Sequence, residues 1–337
     1  MKTLIKLAVI TFAIALFGIA CENNPPNERD PDDKNPIDTP KKWTKVSNST
    51  FGASAVNAVA WGGGKFVAVG EGGKIAYSAD GKSWTAVSNS TFTAAINSVA
   101  FGSGKFIAVG EGGKMAASAD GVNWTAVSSN GFENNAINGV AYGSDKWVAV
   151  GRNRMAYSNA DGTSWTGMSS NAPFNYNQGA PNLWDVAYGS GRYVLVGAAG
   201  GQGHGTSLAH SSNGTSWSSV EMGDIIAEAL TGIDFGGGTF VAVSLYSILY
   251  STDGMVWNGT AEGSLGKMLK SVSFGNGKFT AVGSNDAILT SGNGINWTAV
   301  TGVSLSSNFN DVAFGGGVWA AVGLNGVIAY LEETQAK

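Results

Sequence analysis

The sequence predicts an all-β protein: a seven-bladed β-propeller of four-stranded antiparallel blades, with the N-terminal strand closing the last blade. Three observations carry this reading. Tryptophans recur about every 40 residues, and each period holds four short apolar segments. The last period also lacks its fourth segment, while an unaccompanied copy of that segment stands before the first. The expected organisation is a signal peptide over 1–20, a tether over 21–42 and the propeller over 43–337.

Lys2 and Lys6 form a positive start, and Leu7 to Ala20 form an apolar run of secretory-signal length. The small residues Gly18 and Ala20 lead into Cys21, the single cysteine. This segment resembles a bacterial lipoprotein signal, with Gly18 where that signal usually carries Leu. The resemblance implies cleavage before Cys21 and lipidation of Cys21 by palmitate-type acyl chains. An ordinary signal cut after Ala20, or an uncleaved anchor, are the alternatives, and a 14-residue apolar run is short for a spanning helix. The expected location is therefore the bacterial cell envelope, on the outer membrane or cell surface or on the periplasmic side, with membrane contact through the N-terminal lipid only. One cysteine leaves no disulfide within the chain and no multi-cysteine metal site.

Five of the seven prolines (Pro25, Pro26, Pro31, Pro36, Pro40) fall between Glu22 and Lys42 among Asn, Asp, Glu and Lys. Such a segment buries too little apolar surface to offset its ordering entropy and reads as a solvated spacer. A net charge of −4 spread along the chain argues against nucleic acid as a partner.

After the tether, Trp43, Trp84, Trp124, Trp165, Trp217, Trp257 and Trp297 follow at spacings of 41, 40, 41, 52, 40 and 40. In the first full period the apolar segments are Val56 to Trp61, Phe66 to Gly70, Lys74 to Ser78 and Ser83 to Val87. They are short, rich in Val, Ala and aromatics, and divided by glycine turns, which is the signature of strands. Between the first two lies Gly62-Gly63-Gly64, repeated as Gly102-Ser103-Gly104 and Gly315-Gly316-Gly317, where glycine is expected to supply positive φ. Between the last two lies Ser78-Ala79-Asp80-Gly81-Lys82-Ser83-Trp84, with copies ending at Trp124 and Trp257. Asp-Gly is a strong hairpin turn, and the following Trp adds a large apolar plate to the outer strand. This unit resembles the Asp-box, or BNR, repeat. The resemblance implies a propeller and no single activity; the photosystem II assembly factor type of propeller shares the repeat type.

In a propeller the blade-to-blade links and the second-to-third-strand turns emerge on one face. The glycine hairpins and Asp-Gly turns, nearly uniform here, emerge on the other. Function is expected on the variable face, because loops that differ on a rigid scaffold carry it. Candidates there are Glu71, Glu111, Arg152, Arg154, Tyr246 and Asp286. The fourth repeat adds two insertions. Asn171 to Pro181 holds Tyr176 and Gln178 and leads to Trp184, and Ala199 to Gly205 holds Gln202 and His204. Aromatics, amides and glycines suit a sugar-like or peptide-like ligand.

Asp-box repeats also occur in sialidases, which require three arginines about the substrate carboxylate. The propeller has Arg152, Arg154 and Arg192, and Arg192 falls on the opposite face. A glycoside hydrolase of another type needs two carboxylates across a cleft, for which Glu71 and Glu111 are the candidates. The only histidines, His204 and His210, have no ligand partners in place, and no cofactor or metal is expected. The leading expectation is a monomeric, non-enzymatic binding or assembly module for a protein or glycan. A carbohydrate-active enzyme is the alternative.

Overall fold

The computed structural model describes residues 42–152, 154–169, 181–198, 206–220, 222, 229–260 and 265–333. Of the chain's two compact units, Met1–Pro40 and Lys41–Lys337, these residues belong to the second. They form seven four-stranded antiparallel sheets. The innermost strands of blades 1 to 7 are Val56–Gly62, Ile96–Gly102, Ile137–Gly143, Asn182–Gly189, Gly232–Gly236, Leu269–Gly275 and Phe309–Gly315. Blade 7 takes its outer strand from the start of the propeller: Thr44 faces Tyr330 and Lys45 faces Ala329. Inner strands of successive blades pack together, and the seventh packs on the first. The longer fourth repeat still contributes four strands.

The apolar core is distributed between blades. Seven clusters each join two neighbours; one unites Val56, Phe66 and Trp84 of blade 1 with Val318, Ala320 and Ile328 of blade 7. A blade alone would leave both of its faces bare, so burial is complete only when the ring closes.

The glycine hairpins hold a correction. Gly63 and Gly64 do adopt positive φ, 55° and 78°. Gly62 does not, and close approach explains it instead: a Cβ there would lie 1.9 Å from Cγ of Phe101 in the next blade. Gly102 lies in the same way under Tyr142, Gly143 under Tyr188, and Gly315 under Trp61. The glycine ending each inner strand thus seats an aromatic ring of its neighbour.

In the Asp-Gly turn of blade 1, Asp80 Oδ1 accepts the N–H groups of Lys82 and Ser83 at 2.8 Å. Gly81 takes φ 73°, and Trp84 Nε1 donates to its carbonyl at 3.0 Å. The turn recurs at Asp120 and Asp253. Against the cost of burial, the Ser83 and Lys82 amides hold Asp80 below the usual carboxylate range. The amides of Asn123 and Val122 do the same for Asp120. Trp217, in the fourth repeat, is only half-buried, unlike Trp84, Trp124 and Trp257.

Candidate functional site

At the variable face, each blade's inner chain opens with a buried apolar residue (Val56, Ile96, Ile137, Leu183, Leu230, Leu269 or Phe309), and the residue that follows it lines the central channel. Around the ring that position holds Asn57, Asn97 and Asn138 in blades 1 to 3. Trp184, Thr231 and Lys270 follow in blades 4 to 6, and Asn310 in blade 7. These residues surround a funnel with a mouth of about 420 Å³. It narrows to a throat of about 110 Å³, which Asp185 and Asp311 also line.

The asparagines lock neighbouring blades together. Asn57 Nδ2 donates to the Ile96 carbonyl at 2.9 Å and Asn97 Nδ2 to that of Ile137 at 3.0 Å. Asn138 Nδ2 donates to the Leu183 carbonyl at 2.8 Å and Asn310 Nδ2 to that of Val56 at 3.0 Å. Blades 4 and 5 lack the asparagine, and a carboxylate deeper in the channel takes over. Asp185 Oδ2 accepts the Ile233 N–H at 3.0 Å, and Asp234 Oδ2 accepts that of Phe274 at 2.7 Å. Blade 6 reaches blade 7 through Ser271 Oγ, which donates to Asp311 Oδ1 at 2.6 Å, and through Lys270 Nζ, which donates to Asn310 Oδ1 at 2.8 Å. Asp311 Oδ2 also accepts the Val59 N–H at 2.9 Å and ties blade 7 to blade 1. Moving the lock inward releases the rim of blades 4 and 5 for Trp184 and Thr231.

The three channel carboxylates are partly accessible along the bore, yet protein walls enclose them. Desolvation pushes Asp185 up to about 7, and Asp234 and Asp311 up to about 6, against the opposing pull of their backbone N–H bonds. Burial likewise holds Lys270 below its ordinary value. No carboxylate lies within ion-pair distance of Lys270 among the described residues. Trp184 keeps 39% of its surface exposed at the mouth.

Of the residues expected from sequence to bind, Trp184 and Glu111 line the funnel mouth. Glu111 Oε1 accepts from Asn97 Nδ2 at 3.2 Å. Tyr246, 53% exposed, follows Leu245, another mouth residue. Glu71 turns to its own blade, where Oε2 accepts the Ala55 N–H at 3.0 Å. Arg154 pairs with Glu133 at 2.6 Å, and Arg152 is exposed beside a backbone bridge to Asn182. Asp286 caps the chain ahead of blade 7 by accepting the N–H groups of Leu305, Ser306 and Ser307. Tyr176, Gln178, Gln202, His204 and Cys21 lie outside the described residues.

Sequence reasoning missed Lys270, Thr231 and the asparagines. Their signal is a position that reads Asn in four repeats and departs from Asn in three consecutive ones. Glu111 is the only carboxylate among the described residues at the mouth. His210 Nδ1 stands 3.5 Å from Arg192 Nη1, and the described residues contain no group of three ligands suited to a metal. A larger recess, about 570 Å³, lies beside Phe92, Gly113 and Asn130. Its buried Asn130 bonds internally, Nδ2 donating to the Gly113 carbonyl and Oδ1 accepting the Phe132 N–H.

No protein-family model matches the chain, and no curated protein matches it. Solved structures do. YCF48 bound to D1 peptide is 16% identical with a TM-score of 0.65, covering 88% of this chain and 97% of that one. A streptogramin B lyase is 14% identical with a TM-score of 0.71, covering 87% and 98%. The WD40 propeller domain of Doa1 is 10% identical with a TM-score of 0.66, covering 88% and 98%. At these identities the likeness is one of fold, and the fold carries both binding proteins and an enzyme.

Proposed function

We propose that this protein is an exported, lipid-anchored binding module whose ligand, part of a protein or glycan partner, enters the funnel on the variable face. The observation that carries the reading is the change at the rim. Three consecutive blades give up the locking asparagine and present an exposed indole, a hydroxyl and an ammonium group that has no counterion among the described residues. A concave site with a few convergent polar groups is the usual form of a ligand pocket. The peptide bound by the structurally similar YCF48 supports a binding role for such a ring. The hydrolase reading has less support, since Glu71 is engaged by Ala55 and Glu111 faces no second carboxylate among the described mouth residues.

Capture from intact cells with the mature chain tests the reading. A partner retained by the native protein should be released by Trp184→Ala combined with Lys270→Met, with the melting temperature preserved. Retention of every partner by that double variant would remove the funnel from consideration. Export and anchoring through Cys21 have a separate test: Cys21→Ala should shift the protein from the detergent phase to the aqueous phase and lose incorporation of labelled fatty acid.

A further inference from the structure

We propose that the funnel binds a hydroxyl-rich monocarboxylate, the uronic-acid unit of a glycan. Its carboxylate sits on Lys270, its ring lies against the Trp184 indole, and its hydroxyls donate to the amide oxygens of Asn57, Asn97 and Asn138. This rests on the reading of the funnel as the ligand site and adds the chemistry of the ligand.

The pattern of satisfied and unsatisfied groups sets that chemistry. Lys270 Nζ uses one N–H on Asn310 and keeps two directed elsewhere. A desolvated ammonium with no counterion among the described residues recovers its lost hydration from an incoming carboxylate. Across the mouth the demand is reversed. Both Nδ2 hydrogens of Asn97 are engaged, by Ile137 and Glu111, and both of Asn138, by Leu183 and Asn182. Asn57 spends one on Ile96. Their Oδ1 atoms accept nothing from the described residues, so this side of the funnel calls for donors. One carboxylate opposite several hydroxyls is the composition of a sugar acid.

Geometry separates this ligand from its rivals. The three acceptors occupy the same register position in adjacent inner strands and therefore lie at one level around the channel. A pyranose is a disc whose hydroxyls radiate at one level, whereas a peptide end offers one N–H per residue along a line. The exposed Trp184 face suits the C–H surface of such a disc. A phosphorylated sugar fits less well, because its second charge has no further cation at the funnel beside Lys270 among the described residues.

The test is calorimetric titration of the mature chain with the methyl glycosides of glucuronate, galacturonate, mannuronate and iduronate. The matching uronamides, neutral sugars, glucose 6-phosphate and a peptide pool with free C-termini serve as comparisons. At least one uronate should bind at least about tenfold more tightly than its amide. Lys270→Met should reduce that uronate to the level of the amide, Lys270→Arg should restore part of the difference, and Trp184→Ala should weaken acid and amide alike. Equal affinity for acid and amide overturns the proposal. So does tighter binding of glucose 6-phosphate or of the peptides, or no binding of any uronate at millimolar concentration. If the uronates fail while a captured envelope partner still depends on Trp184, the ligand chemistry is wrong and the funnel stands. If that partner is indifferent to Trp184, both readings fall.

Discussion

Blades 7, 1, 2 and 3 and blades 4, 5 and 6 join their inner strands by different chemistry. The first group uses neutral amides at the rim: Asn310, Asn57, Asn97 and Asn138 each reach a carbonyl of the next blade. The second group uses Asp185, Asp234 and the Ser271–Asp311 pair, set deeper in the bore. An amide lock is indifferent to pH and occupies the rim. A carboxylate lock clears the rim and makes the ring sensitive to protonation. Carboxylates thus make the junctions of blades 4 to 6, and Asp311 adds one beside the amide lock between blades 7 and 1.

The largest effect should come from Asp311→Ala. It removes the acceptor of the Val59 N–H, the Val312 N–H and the Ser271 hydroxyl, and so loosens the ring on both sides of blade 7. A loss of about 2–3 kcal/mol in urea unfolding at pH 5 is expected. Asn97→Ala breaks one amide lock and should cost about 1 kcal/mol. Equal losses would mean that the two kinds of junction are equivalent after all.

The pH dependence sharpens the comparison further. Asp185, Asp234 and Asp311 have folded-state values raised to about 7, 6 and 6, above the ordinary 3.8. Between those limits the folded ring binds more protons than the unfolded chain, so this contribution to stability falls as pH rises through that window. The melting temperature should therefore be higher at pH 5 than at pH 8, and Asp185→Asn should shrink the difference. Below about pH 4 the trend should reverse, because Asp80, Asp120 and Asp253 are held low by their turns and lose that stabilisation on protonation. A flat profile from pH 8 to pH 5 would contradict the assigned desolvation.

The smallest effect on stability belongs to the released rim. Trp184→Ala and Lys270→Met should each change unfolding free energy by no more than about 1 kcal/mol, since neither side chain joins the apolar clusters between blades and Lys270 gives up only its bond to Asn310. A larger loss would make them structural, like the asparagines they replace.

The ring is legible in the repeat itself. The seven tryptophans, the Asp-Gly turns and the unaccompanied Trp43 segment lead to seven blades and to the strand exchange at Tyr330 and Ala329. The variable face is legible too, and it leads to Trp184 and Glu111. Lys270 and the rim asparagines are not, because they lie inside strands. Period-2 alternation tells which side chains share a face, and cannot say that the first turn of seven separate strands opens onto one channel. Gly62 escapes a local reading for a related reason: the ring it accommodates belongs to Phe101, 39 residues on.

By itself the sequence determined the repeat, the blade count and the face on which the copies differ, since these follow from local patterns of apolar, turn and glycine residues. Only the tertiary structure decided which departures from the repeat meet. Trp184, Thr231 and Lys270 are separated by 47 and 39 residues along the chain and become neighbours around one funnel. The physical reason is ring closure: each inner strand buries its apolar faces only against the next, and that packing turns equivalent positions in distant repeats into a single rim.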